Sequence, residues 1–175
     1  VAAARAVAEE ASALGVCEAA NDNAPGQVVV SGATAAVEKA VEIAAARGAK
    51  RAVLLPVSAP FHCALMAPAA AAMREALAET ALAAPSVPLV SNVKAEGVSD
   101  PDEIRALLVE QVTGAVRWRE SVAWMAGQGV TELVEIGACK VLTGLAKRID
   151  KGLSARAVGG PEDVAAAVAA IKGDA

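Results

Sequence analysis

The stretch Val16-Cys17-Glu18-Ala19-Ala20-Asn21-Asp22-Asn23-Ala24-Pro25-Gly26-Gln27-Val28-Val29-Val30-Ser31-Gly32 sets two short apolar runs, Val16 to Ala20 and Gln27 to Ser31, around a cluster of turn formers. Asn, Asp, Pro and Gly in close succession let a chain reverse, so the stretch predicts two strands joined by a turn at residues 21–26. Upstream, residues 2–14 place Val7, Ala11 and Leu14 at helical spacing, and Gly15 stands where a helix stops. Downstream, residues 33–47 repeat the spacing with Val37, Val41 and Ile43, and Gly48 supplies the next stop. Ala52 to Leu55 reads as a further strand.

The order α-β-β-α-β is that of a ferredoxin-like β-α-β-β-α-β unit lacking its first strand. After Pro56 the pattern changes. A helix is expected from about residue 63 to 80, ending before Pro85 and Pro88. Leu89 to Val93 reads as a short buried strand. Asp100-Pro101-Asp102-Glu103 puts proline and acids at the start of a helix that runs to about Val112. Another helix covers about 117–127, Thr131 to Gly137 alternates as a strand does, and a helix follows over about 139–150. Strands interleaved with helices predict an α/β fold with a mostly parallel sheet. Two segments are expected, 1–55 and 56–175.

Composition narrows the function. The 175 residues are 55% hydrophobic and 21% charged, with 16 basic and 20 acidic side chains for a net charge of −4. Such a chain buries a core and is not a disordered segment. Phe61, Trp118 and Trp124 are the only aromatics. With no basic excess and few stacking rings, nucleic acid is not an expected partner. Alanine dominates the apolar count, and no run approaches the ~20 residues a membrane helix needs, so no membrane partner is expected either. Cys17, Cys63 and Cys139 are odd in number and widely spaced. They suggest buried thiols in a reducing, cytoplasmic compartment, not a disulfide framework or a zinc site. The pattern begins at Val1 with no capping residue before it, which predicts that a preceding segment is missing.

His62 is the only histidine and therefore the one obvious base near neutral pH. It follows Pro60 at a loop-to-helix junction, a position that suits a cleft-facing side chain and equally a histidine that merely packs a helix start. One histidine and scattered cysteines make no metal cluster, so no metal is expected. The chain holds no G-x-S-x-G pentapeptide to expose a nucleophilic serine. Cys63 adjoins His62 but points elsewhere. Gly127-Gln128-Gly129 precedes a strand, where a helix stop fits better than a dinucleotide loop.

Three segments together resemble malonyl-CoA:acyl carrier protein transacylases: Asn21 to Gly32, Pro56-Val57-Ser58-Ala59-Pro60-Phe61-His62-Cys63-Ala64-Leu65-Met66, and Glu135 to Leu145. They stand in that family's order and correspond to its C-terminal portion. The resemblance implies an α/β-hydrolase-like large subdomain over 56–175 and the ferredoxin-like small subdomain over 1–55, both incomplete. It implies transfer of malonyl from coenzyme A to the phosphopantetheine thiol of acyl carrier protein in fatty acid biosynthesis, through a serine acyl-enzyme with His62 as base. Malonyl-CoA is then a substrate, acyl carrier protein the partner, and no resident cofactor is needed.

By the same resemblance Gln111 offers a backbone carbonyl that orients the histidine, an alternative to a solvated helix-end residue. Asn21 and Asn23 line the substrate cleft, or else close Asx turns. Phe61 narrows the acyl pocket toward malonyl. Lys50 and Arg51 meet the acidic carrier, or are simply a solvated charge pair. Cys139 and Ala138 depart from the family's glycine and proline, which alters packing at that turn. The serine, the malonyl-binding arginine and an oxyanion-hole glutamine are expected in the missing N-terminal segment of the same protein, and residues 1–175 alone are expected to be inactive. Two rivals stand beside this: an acyltransferase domain of a polyketide synthase, and a noncatalytic carrier-binding remnant.

Overall fold

The computed structural model describes residues 1–173; residues 174 and 175, the end of the expected 56–175 segment, lie outside the described residues. The chain divides into two compact units, Val1–Ser121 and a second that begins at Val122.

In the first unit helix α1 (Ala2–Ala11) passes through a single 3-10 turn to Gly15, whose φ of 131° ends it. Strands β1 (Cys17–Ala24) and β2 (Gln27–Gly32) form an antiparallel hairpin, and helix α2 (Thr34–Ala46) follows, stopped near Gly48 at φ 80°. Val7, Ala8 and Ala11 of α1 pack with Ala36, Ala40 and Ile43 of α2 and with Cys17. Alanine on both contact faces lets the helix backbones approach closely, so little volume is needed to fill the interior.

β1 corrects the expected turn at residues 21–26. The strand continues through Ala24, and only Pro25 and Gly26 turn. Two bulges allow this: Ala19 pairs with Val30 and Asn21 with Val29, leaving Ala20 extra, and Asp22 pairs with Val28 and Ala24 with Gln27, leaving Asn23 extra. Each extra residue re-aims the side chains beyond it. The buried set accordingly shifts from Cys17 to Ala20, Asp22 and Ala24. Asn21 and Asn23 are strand residues, not turn residues.

The strand expected at Ala52 to Leu55 is absent. Residues 51–57 have no regular structure, and Val53, Leu54, Leu55 and Val57 are all more than half exposed. The apolar run is suited to a strand, but among the described residues none lends it a hydrogen-bonding edge. The observed order in residues 1–55 is therefore α-β-β-α.

A 3-10 turn at residues 64–66 leads into helix α3 (Ala67–Ala78). The buried strand expected over Leu89 to Val93 shrinks to β3 (Leu89–Val90), paired antiparallel with β4 (Gly97–Val98). The chain reverses immediately after Val90. Ser91 N–H donates to Glu96 O at 3.1 Å and Ala95 N–H to Ser91 O at 2.8 Å, with Ala95 at φ 58°. Helix α4 (Pro101–Thr113) starts as expected, its Asp100 side chain accepting the Glu103 N–H at 2.8 Å, and packs along α3. Helix α5 (Trp118–Gly127) follows.

In the second unit strand β5 (Glu132–Ile136), helix α6 (Val141–Ile149) and strand β6 (Ser154–Val158) form a parallel β-α-β unit, trailed by helix α7 (Pro161–Lys172). The Glu135 carboxylate accepts the N–H groups of Leu142 and Thr143 and the Thr143 hydroxyl, which holds its pKa below the ordinary value and ties the strand end to the start of α6. The fold is α/β, but the described residues form three two-stranded sheets of which one is parallel, in place of the mostly parallel sheet expected. No helix among the described residues is long and apolar enough to cross a membrane.

Candidate active site

His62 has a backbone φ of 60°, in the left-handed region that costs a non-glycine residue about 1 kcal/mol or more. The surroundings impose it. Phe61 N–H donates to Ala59 O, and the fully buried Cys63 donates its thiol to Pro60 O at 3.1 Å, so the histidine is clamped from both sides. Cys63 is thus an anchor and not a partner for the imidazole.

The imidazole Nδ1 lies 2.8 Å from the backbone carbonyl of Gln111, 49 residues later. That carbonyl is available for a general reason: the last four carbonyls of a helix have no intrahelical donor. Gln111 sits in the final turn of α4, where Gly114 N–H takes the Glu110 carbonyl and leaves the next one open. A carbonyl only accepts, so Nδ1 carries the proton and Nε2 keeps its lone pair. An imidazole held through one ring nitrogen by an acceptor has the geometry that orients a general base, here with a peptide oxygen where a carboxylate often stands.

The Gln111 side chain is held as well. Its Oε1 accepts from Asn92 Nδ2 at 2.9 Å. Asn92 lies in the β3–β4 turn, and its own carbonyl accepts Arg117 N–H at 2.9 Å. The Arg117 guanidinium donates through Nη1 to Val93 O and Lys94 O, both at 3.1 Å, and through Nε to Glu120 at 3.0 Å. Their mutual hydrogen bond raises the Arg117 pKa and lowers that of Glu120. One residue earlier, Val116 N–H donates to Ala20 O at 2.8 Å and Val116 O accepts Asp22 N–H at 2.9 Å, which sets the segment beside β1 at Asn21. A continuous set of hydrogen bonds thereby runs from the bulged part of β1 to the histidine.

Among the residues singled out in the sequence, His62 and Gln111 are brought into contact, and Asn21 is joined to them through Val116 and Arg117. Asn23 is the extra residue of the second bulge, half-buried. Phe61 adjoins the histidine and is 49% exposed. Lys50 and Arg51 stand exposed after α2 and make no hydrogen bond to the His62–Gln111 pair. Asn92 and Arg117 were not anticipated; in Ser91-Asn92-Val93 the asparagine sits at the end of an apolar run and nothing local marks its partner.

No family model matches the chain. Individual proteins do. The malonyl CoA-acyl carrier protein transacylase of Escherichia coli strain K12 is 49% identical over 160 residues, which is 91% of this chain and 52% of that protein. The crystal structure of acyl-carrier-protein-S-malonyltransferase from Bartonella henselae matches with a TM-score of 0.92 at 53% identity, covering 98% of this chain and 55% of that one. A malonyl-transacylase in complex with its type II polyketide synthase acyl-carrier protein matches with a TM-score of 0.92 at 39% identity, over 99% of this chain and 55% of that one. The chain spans about half the length of the relatives it matches. In sequence and in backbone, over nearly all of its own length, it is a homologue of the malonyl CoA-acyl carrier protein transacylases.

Proposed function

We propose that the chain supplies the histidine part of an enzyme that transfers malonyl from coenzyme A to the phosphopantetheine thiol of acyl carrier protein in cytoplasmic fatty acid biosynthesis. The observation that carries this is the Nδ1–H of His62 donated to Gln111 O, which leaves Nε2 as a free acceptor. In the first half-reaction Nε2 takes the proton of a serine hydroxyl as its oxygen attacks the thioester carbonyl. The imidazolium formed returns the proton to the departing coenzyme A sulfur. In the second, Nε2 takes the proton of the carrier thiol as its sulfur attacks the acyl-serine, and returns it to the serine oxygen.

The serine comes from a G-H-S-x-G segment outside residues 1–175, together with the arginine and glutamine that hold the malonyl carboxylate and the oxyanion. Asn21 and Asn23 line the pantetheine and acyl path, Phe61 borders the acyl pocket, and Lys50 and Arg51 meet the carrier. Residues 1–55 then belong to a ferredoxin-like small subdomain and the rest to a hydrolase-like large one. No resident cofactor takes part. A second reading, transfer to a polyketide carrier, is raised by the match to a malonyl-transacylase in complex with a type II polyketide synthase acyl-carrier protein; a direct comparison of fatty acid and polyketide carriers as acceptors separates the two.

The test is His62→Ala in a longer protein that includes this chain and a G-H-S-x-G segment. Malonyl transfer is expected to fall by ~10² or more, the scale of a lost general base. Residues 1–175 alone are expected to gain no covalent malonyl group by intact mass. Near-normal transfer by His62→Ala, or an adduct on the isolated chain, overturns the assignment.

A further inference from the structure

The carbonyl that orients His62 sits where helices fray, because the last turn has the fewest internal bonds. Its aim depends on whatever holds Gln111 from outside the helix. One contact does so: Asn92 Nδ2 to Gln111 Oε1 at 2.9 Å, between side chains that are both half-buried. Asn92 is itself on a fixed support. The turn that carries it is closed by the Ser91–Glu96 and Ala95–Ser91 backbone bonds, by Ser91 buried beneath it, and by Arg117, which bonds the carbonyls of three successive residues, Asn92, Val93 and Lys94. A rigid turn thus grips the flexible end of a helix at the one residue whose peptide oxygen contacts the histidine.

We infer that Asn92 is a positioning residue for His62: by holding the Gln111 side chain it fixes the last turn of α4, and through that the Nδ1–H tautomer of the imidazole. Its consequence for catalysis rests on His62 acting as the base; its consequence for the tautomer does not. An unconstrained neutral imidazole favours the Nε2–H form, in which Nε2 has no lone pair to offer, so loosening the grip shifts the ring toward the inactive form. Gln111 contributes twice, its backbone to the histidine and its amide to the grip.

His62 is the only histidine, so its ring nitrogens give unambiguous ¹⁵N NMR signals in the labelled 175-residue chain. The Nδ1–H form is expected to dominate. Asn92→Ala is expected to move the ring measurably toward Nε2–H, Gln111→Ala to do the same although its backbone carbonyl remains, and the double variant to move it no further than either. In the longer protein Asn92→Ala is expected to lower kcat for malonyl transfer roughly tenfold with KM for malonyl-CoA unchanged, the kind of loss that a misplaced group gives. An unchanged tautomer ratio in a folded Asn92→Ala chain, or additive shifts in the double variant, overturns the inference; if Asn92→Ala does not fold, Gln111→Ala decides alone. A shifted tautomer combined with transfer that tolerates His62→Ala upholds the positioning and overturns the base instead.

Discussion

Arg119 reaches back 97 residues to hold Asp22, with Nε 2.9 Å and Nη2 2.7 Å from Oδ2. The aspartate side chain is 8% exposed, while the arginine side chain is 34% exposed. This asymmetry gives the pair an unequal mutational signature. Arg119→Ala strands a buried charge beside the second bulge of β1, whereas Asp22→Ala leaves an arginine that still reaches water. Removing a partner from a fully buried pair costs about 3–5 kcal/mol, and the partial exposure here reduces that to about 2 kcal/mol for Arg119→Ala and about 1 kcal/mol for Asp22→Ala. Urea unfolding of the two variants checks the order; equal losses would show that the bulge, not the charge, sets stability.

The Glu120 carboxyl is held below its ordinary value of 4.5, first by its hydrogen bond with Arg117. A carboxylate whose folded pKa is depressed contributes stability that is complete above the unfolded value and is lost as the pH falls through the folded one. Unfolding temperature is therefore expected to decline as the pH drops below about 4.5, and Glu120→Gln is expected to lessen that decline while lowering stability at pH 7. Thermal melts between pH 7 and pH 3 check it. A Glu120→Gln profile parallel to the parent's would remove Glu120 as a source.

Acyl choice is expected to depend on Phe61. On the proposed function, a ring next to His62 takes up space that an α-methyl group would need, and one methyl is worth ~1–3 kcal/mol of discrimination. Phe61→Ser is expected to lower the malonyl over methylmalonyl preference by about tenfold, within that range. Competition between the two coenzyme A thioesters in the longer protein measures the ratio, and no change in it counts against the role.

Reversing charge at Lys50 and Arg51 is expected to raise KM for an acidic carrier several-fold and to flatten its dependence on salt, since exposed charges act mainly on encounter and are screened within about 10 Å at 0.1 M. Loading from malonyl-CoA is expected to be unaffected. If both half-reactions slow together, the pair serves the fold and not the carrier.

Local rules were legible where a single residue decides the backbone. Gly15, Gly48 and Gly129 end helices at positive φ, and Asp100 caps α4 through the Glu103 N–H, each as residue type predicts. Strands were less legible, because periodicity tells which face is apolar but not whether an edge is there to pair with. Ala52 to Leu55 has the composition of a strand and no pairing, while Gly97 and Val98 pair with hardly any strand signal. The bulges of β1 were hidden for the opposite reason: Asn21-Asp22-Asn23 looks like a turn until Val116 and Arg119 bind its far side. In the site, His62 stood out by being alone, but its partner lies 49 residues away, and only resemblance to a family pointed to Gln111. Nothing pointed to Asn92, whose value lies wholly in a contact formed after folding.

That His62 leans on a peptide oxygen also changes where the gene is fragile. A triad built on an aspartate can be lost through one codon, since a side chain carries the acceptor. Here no missense change at position 111 deletes the acceptor; it changes only how well the acceptor is aimed. The exposed codon is instead that of Gly114, where α4 must end. Any Cβ there would come within 2.7 Å of Val93 Cγ1 and 3.0 Å of the Glu110 carbonyl, pushing at once on the helix end and on the turn that carries Asn92. Substitutions at 114, like Asn92→Ala, are thus expected to reach the histidine without touching it.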